Sequence, residues 1–563
     1  MSAAHKIINR HIALIILISV IGAYLVIKAF PENSWDGWRV GSAQALLSDK
    51  HWVNDGFLKN YFLFLPQGYS KTVRYFDDQE LRQHARGITT GGFIGKRLYY
   101  THYPFGYIIP TTLLMKLGVE SRFWFRMLEI LFSLIGLVFL YWVFNLISNH
   151  WVAFLGVLYY SVSTLFLDYA DSLAAMPIEE LLRPIIIFLS IFALKNAQKK
   201  YLNYLIWILY FILSLSSYDS TFFIFAWLVG LDLIIARKIY PERSRRIEWQ
   251  KWLFWASAPI LAFAVQLLQN TLYLGWHNML LDLYGVFKIQ MVGSRTGFFV
   301  SHFKRLTDPF DWFFGVKWYL GIIVSILGIL GSWFIQKYSN SEYFHNSNYG
   351  SKTMRYLILG FLAILFHFLF FPSLFFYQGR IVAIFGGLLV GILTAVIIKE
   401  IISLFKTKKI LQPRSCGVVV FVIFILVLGL WFIQGKRTYA YIKNWPNNIW
   451  PVESINFDKK IKNLTPGDKV IFQMSGPDRE VSGPDRYPMA ASEDEYYTDA
   501  PILGFTNTND LIRDFNYLKK RSEFPFSTII IAGQNKTIQK IQQKLKTKNP
   551  IIKTDNHFIL IIQ

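Results

Sequence analysis

The 563 residues are 53% hydrophobic and 18% aromatic and only 17% charged, where soluble domains carry about 25% charged residues, so a chain dissolved mainly in water is excluded. A single cysteine, Cys416, excludes an internal disulfide and any cysteine-based metal site. The net charge of +22 suits a nucleic-acid binder in sum, but not in distribution, because the basic residues collect in short loops between apolar runs.

Those runs, each long enough to cross a bilayer, fall near 11–30, 122–147, 151–168, 178–195, 201–217, 220–236, 252–272, 318–336, 354–371, 381–403 and 416–434. They predict a polytopic α-helical membrane protein of about eleven transmembrane helices. With the N-terminus in the cytoplasm, nineteen Lys and Arg residues, from Lys6 to Arg414, lie in the inside loops. The outside turns at 169–177 and 218–219 hold none, so the charge is an orientation signal and no nucleic-acid partner is expected. The first run has a basic lead and an Ile-rich core, like a signal peptide. Ala23–Ala29 offers no small-x-small cleavage site, which favours an uncleaved span.

Residues 31–121 form a long outer segment in which Trp35, Trp38, Trp52, Tyr61, Phe62 and Phe64 suit the headgroup layer. Two interfacial helices are expected in it, near 35–48 and 104–117. The first has Asp36 and Arg39 at i and i+3 and continues apolar through Ala43, Leu46 and Leu47. Gly91-Gly92 and Gly95 make no dinucleotide fingerprint. The second span opens with Arg122-Phe-Trp-Phe-Arg126. The turn Leu167-Asp168-Tyr169-Ala170-Asp171-Ser172 then leads into Pro177-Ile-Glu179-Glu180-Leu-Leu-Arg183. Ionised groups at a membrane boundary are costly and mark function or pairing, and Glu179 with Arg183 has i,i+4 spacing.

Residues 273–317 read as a second outer loop carrying Lys304-Arg305, and Tyr377-Gln378-Gly379-Arg380 as a short outer turn. From Gly435 the composition turns soluble. Strands at Lys469–Met474, Ser527–Ala532 and His557–Ile562, with helices at Thr508–Lys520 and Lys536–Lys546, predict a small α/β domain. The domain organisation expected is 1–435 in the membrane and 436–563 soluble outside it. A tandem Ser-Gly-Pro-Asp-Arg at 475–479 and 482–486 is expected to form a mobile loop.

An acidic residue just past the first span, the turn Leu98-Tyr-Tyr-Thr-His102-Tyr-Pro104-Phe-Gly106 entering the apolar Tyr107–Leu117, and an arginine before the second span form a recognisable set. It resembles the GT-C superfamily of membrane glycosyltransferases, especially the protein mannosyltransferase and aminoarabinose transferase (family 39-like) group. The resemblance covers residues 1 to about 200 in motif and the remainder in layout. It implies a GT-C fold and transfer of a sugar from a polyprenyl-phosphate donor to a lipid, surface glycan or protein. The place would be the outer face of a prokaryotic cytoplasmic membrane, with the C-terminus extracytoplasmic.

By the same resemblance Asp36 is the catalytic base and Asp171 or Asp168 the second acidic residue, with Glu179 and Glu180 as alternatives. Such chemistry needs a carboxylate to accept the acceptor's proton and cations to hold the leaving phosphate. His102, Arg380, Lys304, Arg305 and Arg39 are the candidates for the phosphate. The plainer readings are a helix cap for Asp36, a solvated turn for Asp171, and contact with anionic lipid for the basic residues. A divalent metal is compatible with these residue types, though no spacing is diagnostic and no cofactor is assigned. Two rival functions are a polysaccharide polymerase or ligase and a transporter or flippase of lipid-linked sugars. The second lacks the internal repeats usual in transporters.

Overall fold

The computed structural model describes residues 3–66, 68–71, 101, 103–196, 199–236, 249–292, 308–315, 326, 347–370, 376–407, 414–445, 451–474, 492–505, 507–522, 525–554 and 557–563. Among them, six helices are long and apolar enough to cross a membrane: His11–Ala29, Arg122–Ile147, Trp249–Leu274, Lys352–Phe370, Phe376–Ile398 and Phe421–Asn444. The protein is an integral, multi-pass helical membrane protein.

Ten of the eleven apolar runs fall on helices, and the run at 318–336 lies outside the described residues apart from residue 326. The run at 151–168 is not one span but two helices. Asn149 caps the first through the N–H groups of Trp151 and Val152, and Ser163 caps the second through that of Phe166. A cap mid-run starts a new helix and ends the old one. The run at 178–195 is helical but carries Glu179, Glu180 and Arg183 in its first turns.

The chain divides into two compact units. The first comprises Met1–Glu32, Phe123–Ala264 and Lys288–Asn448, and the second Asn33–Arg122, Val265–Phe287 and Ile449–Gln563. The expected domain boundary at 435/436 lies near the last of these breaks, but the second unit also takes in the first outer segment and residues 265–287.

In the first unit lie α1 (Ala3–Ala29), most of α4 (Arg122–Ile147), α5 (His150–Ser161), α6 (Thr164–Tyr169), α7 (Met176–Lys195), α8 (Tyr201–Ser216) and α9 (Thr221–Gly230). The first part of α10 (Trp249–Leu274) follows, then α12 (Ser347–Phe370), α13 (Gly379–Thr407) and α14 (Arg414–Asn444). Helix α13 packs along α5, and α12 along α9. Lipid supplies no hydrophobic drive between such helices, so close backbone approach carries the packing. Gly391 of α13 lies so near α5 that an added Cβ would stand 2.5 Å from the Val152 carbonyl and 2.8 Å from the Gly156 N. Gly156 in turn faces the Gly387 carbonyl, with only 2.8 Å left for a Cβ.

The second unit holds α2 (Arg39–Asp55), α3 (Ile109–Lys116, entered through a 3-10 turn at Gly106–Ile108) and the part of α11 (Trp276–Val292) up to Phe287. It also holds the C-terminal elements α15 (Val452–Lys462), β1 (Lys469–Met474), α16 (Ser492–Thr498), β2 (Ile502–Phe505) and α17 (Thr508–Arg521). The chain ends with β3 (Ser527–Ala532), α18 (Asn535–Lys544), β4 (Ile551–Lys553) and β5 (Phe558–Ile562).

The sheet order is β2-β1-β3-β5-β4, with β1 parallel to β2 and β3, and β5 antiparallel to β3 and β4. Strand alternation sends Ile471, Ile529, Ile531 and Ile559 into a core with Ile461 of α15. Phe472 stacks on Phe505 of β2 and meets Phe515 of α17. The strands β2 and β4 are additions to the sequence reading. The tandem Ser-Gly-Pro-Asp-Arg lies outside the described residues. The segment read as an outer loop from 273 contains helix α11, whose Asp282 accepts from Thr101 Oγ1 at 2.7 Å.

Replacing Gly391 with Leu forces α13 off α5, and overpacking of this kind costs about 1–3 kcal/mol. The Gly391→Leu protein should unfold at a lower temperature in detergent than a Gly429→Leu control, whose Cβ meets open space. Equal melting temperatures would show that the two helices do not depend on this contact.

Candidate functional site

Helix α7 begins at Met176-Pro177, a proline where its missing N–H costs nothing, and so sets Glu179, Glu180 and Arg183 on its first turns. Helix α4 passes so close that a Cβ on Gly136 would stand 2.2 Å from the Glu180 carbonyl oxygen. Arg183 Nη2 donates to Glu180 Oε1 at 2.7 Å and lies 3.7 Å from Glu179 Oε2. Arg380, from the start of α13, donates through Nη2 to Glu179 Oε2 at 2.9 Å and through Nη1 to Glu180 Oε1 at 3.2 Å. Its Nη1 also reaches the Met176 carbonyl and its Nε the Tyr377 carbonyl, both at 3.0 Å. The four charged side chains are buried and sum to zero. Beside Arg380, Gln378 donates to Asp219 at 2.9 Å.

The carboxylate of Asp171, fully buried in the turn between α6 and α7, accepts from Arg126 Nη2 on one oxygen. Lys28 Nζ, in the last turn of α1, donates to the other at 2.8 Å. Burial alone raises a carboxyl's pKa, but the Arg126 and Lys28 cations outweigh it and hold Asp171 below the ordinary carboxylate range. Lys28 Nζ also donates to the carbonyls of Leu167 and Asp168, at 2.7 and 3.2 Å, so it ties the whole turn to α1. Its ammonium lies 4.3 Å from the Trp445 ring centre.

In the second unit the helix expected at 35–48 runs from Arg39 to Asp55, which leaves Asp36 before the helix rather than in its first turn. Asp36 is buried, and its Oδ1 accepts the Trp38 N–H at 2.8 Å. This is an Asx-type turn followed by a helix whose Trp38 N-cap makes no side-chain cap hydrogen bond, so the helix-cap reading of Asp36 does not hold. Arg39 is exposed at the first helical position. Farther along α2, the buried Asp49 accepts from Thr112 of α3, and burial pushes its carboxyl up to about 7, against the lowering effect of the Thr112 and Thr111 hydroxyls.

Thus Glu179, Glu180 and Arg380 meet in one cluster. Asp171 sits in a second, with the backbone of Asp168, while Asp36 and Arg39 belong to the other unit. His102, Lys304 and Arg305 lie outside the described residues. Among the described residues no three His, Cys, Asp or Glu side chains converge as a metal site requires.

No protein-family profile matches the chain, and no curated protein does. Solved structures do. ArnT from Cupriavidus metallidurans, bound to undecaprenyl phosphate, superposes at a TM-score of 0.52 with 10% identity, covering 97% of each chain. The chain has the GT-C fold. The oligosaccharyltransferase of Archaeoglobus fulgidus matches at a TM-score of 0.41 with 10% identity, over 90% of this chain and 69% of that one.

The GT-C scaffold here uses charged residues that the sequence reading passed over. Lys28 is an ion-pair partner hidden in an apolar span, and a lone lysine there is itself a signal. Arg126 was visible only as part of an aromatic-basic motif. Breaking a buried ion pair from one side costs about 3–5 kcal/mol. Asp171→Ala should therefore show a large loss of thermal stability, and pairing it with Lys28→Met should recover part of it. A depressed carboxylate contributes stability that is complete above about pH 4 and lost only as pH falls through the lowered value. The deficit of Asp171→Ala relative to wild type should be constant from pH 5 to 8; a deficit that grows across that range would contradict the assignment.

Proposed function

We propose that the chain moves a sugar from a polyprenyl-phosphate donor to an acceptor hydroxyl or amine at the extracytoplasmic face of a prokaryotic cytoplasmic membrane. The observation that carries the reading is the GT-C fold shared with ArnT across 97% of both chains. The neighbour's bound undecaprenyl phosphate supports a prenyl phosphate as the carrier. The basic loops support an N-terminus on the cytoplasmic side, and a count of eleven crossings requires the two helices of the 151–168 run to cross together.

In the proposed reaction, the acceptor's nucleophilic atom attacks the sugar's anomeric carbon, and the bond to the phosphate oxygen breaks. Asp36 accepts the proton that the acceptor loses. Asp171 is held between two cations and is a poor base, whereas Asp36 accepts the Trp38 N–H and stands just past the first span, where the resemblance puts the base. We assign Asp171 to fixing the turn before α7. Glu179 and Glu180 hold Arg380 and Arg183, so Arg380 reaches phosphate only by giving up a carboxylate. Arg39, exposed at the start of α2, is the phosphate contact we favour, and Lys304, Arg305 and His102 remain proposed phosphate contacts. The acceptor is a lipid, a surface glycan or a protein.

The protein, purified into lipid nanodiscs with a panel of undecaprenyl-phosphoryl hexoses and pentoses and an envelope extract as acceptor, should release undecaprenyl phosphate. A transporter would consume none of the panel. Asp36→Asn should lower the transfer rate by about 10²–10⁴ while keeping its melting temperature and its binding of undecaprenyl phosphate. A normal rate in that variant would remove Asp36 from the chemistry.

The phosphate assignment separates by kinetics. Arg39→Ala should raise the donor KM severalfold with kcat little changed, the mark of a ground-state contact. Arg380→Ala should instead lower stability, because two carboxylates lose their partner. A folded Arg380→Ala protein with raised KM would return the phosphate to Arg380.

A further inference from the structure

Arg122, at the start of α4, is buried, and its guanidinium touches Ser34, Trp35 and Tyr497. Its Nη2 donates to the Ser34 carbonyl at 2.9 Å, and its Nη1 to the Tyr497 hydroxyl at 2.9 Å. The guanidinium carbon lies 4.0 Å from the centre of the Trp35 ring. That ring is 1% exposed and is also met edge-on by Tyr496 and Tyr497 of α16, at 5.8 and 6.2 Å. A cation over an indole face is attracted by the ring's negative π surface, and more so where water is excluded.

These contacts fall on the two residues that precede Asp36. Ser34 is held by its carbonyl and Trp35 by Arg122 over its ring and by two tyrosines set across it, while Asp36 itself closes the turn onto Trp38. The backbone is thus fixed on either side of the proposed base. Helix α16 is itself latched: Asp499, just beyond it, accepts from Lys50 of α2 at 2.5 Å and lies 3.3 Å from Lys462 of α15. Lys50 also lies 4.9 Å from the Tyr496 ring centre.

We infer that Tyr497, acting through Arg122 and Trp35, is a positioning residue for Asp36, so that the C-terminal segment sets the pose of the proposed base. The inference rests on the reading of Asp36 as base. Displacing a reacting group by about 1 Å costs about 10² in rate, so a single hydroxyl at position 497 has leverage on turnover without touching substrate.

The test uses the full-length protein in nanodiscs with whichever undecaprenyl-phosphoryl sugar of the panel wild type consumes. Tyr497→Phe keeps the ring and removes the oxygen, and Arg122→Lys keeps the charge and removes the fork. Each should lower kcat by about ten- to a hundredfold with donor KM and melting temperature unchanged. In an Asp36→Glu background, where the carboxylate is already displaced, Tyr497→Phe should have little further effect, because coupled residues are not additive. An equal loss in both backgrounds, or a raised KM, would overturn the inference and leave Asp36 as base. A wild-type rate in Asp36→Asn would overturn the base reading instead.

Hydrogen exchange supplies a readout that needs no substrate. Residues 33–38 should exchange faster in Tyr497→Phe and Arg122→Lys, with protection elsewhere in α2 kept. Unchanged protection at 33–38 would show that the contacts do not hold the turn, whatever the kinetics.

Discussion

An ionised side chain in a low-dielectric interior is costly, and an opposite charge within hydrogen-bond reach is the common way of offsetting the cost. The first unit does so twice. Glu179 and Glu180 against Arg183 and Arg380 join α7 to α13, and Asp171 against Lys28 and Arg126 joins the turn before α7 to α1 and α4. Helix α7 is therefore held at its N-terminal end by charge from three other helices. Small residues complete the arrangement, since Gly136 lets α4 lie against the Glu180 carbonyl. Each cluster ties particular helix ends together, and breaking one from a single side would leave buried charge unpaired.

How far the sequence discloses this depends on range. Local patterns were legible: Glu179 and Arg183 pair as their spacing implies, and the strands and amphipathic helices after 468 lie within a residue or two of their periodic runs. Partners distant in sequence were not, because nothing local to Arg380 says that its carboxylates lie 200 residues earlier. Short elements also escaped. Four residues in β2 and three in β4 are too few for a period-two pattern to stand out, and both become strands only beside β1 and β5. The segment 276–292 was read as loop on account of His277, Asp282 and Lys288, yet it is helical, and Asp282 is buried against Thr101.

The candidate site was legible by kind and not by arrangement. Asp36 stands out as a carboxylate just past an apolar run, but the sequence alone does not tell a helix cap from a residue placed ahead of the helix. Gly37 and the tryptophan after it decide this: the helix starts at Arg39, and the Asp36 side chain bridges the gap to the Trp38 N–H. The aromatic residues near it, which composition assigns to the headgroup layer, are partly a packing device. Trp35 is closed off by Arg122, Tyr496 and Tyr497 and is no more exposed than a core residue.

The difference between the two candidate aspartates is electrostatic. A carboxylate accepts a proton less readily where fixed cations already favour its charged form. At Asp171 the arriving proton would cancel the charge that balances Lys28 and Arg126, leaving two buried cations facing each other. Asp36 instead accepts the backbone N–H of Trp38. On the proposed reading Asp171 serves the structure and Asp36 the chemistry. The clamp of Arg122 on Ser34 and Trp35 fixes the backbone just before Asp36, so the pose proposed for that carboxylate depends on contacts made by its neighbours.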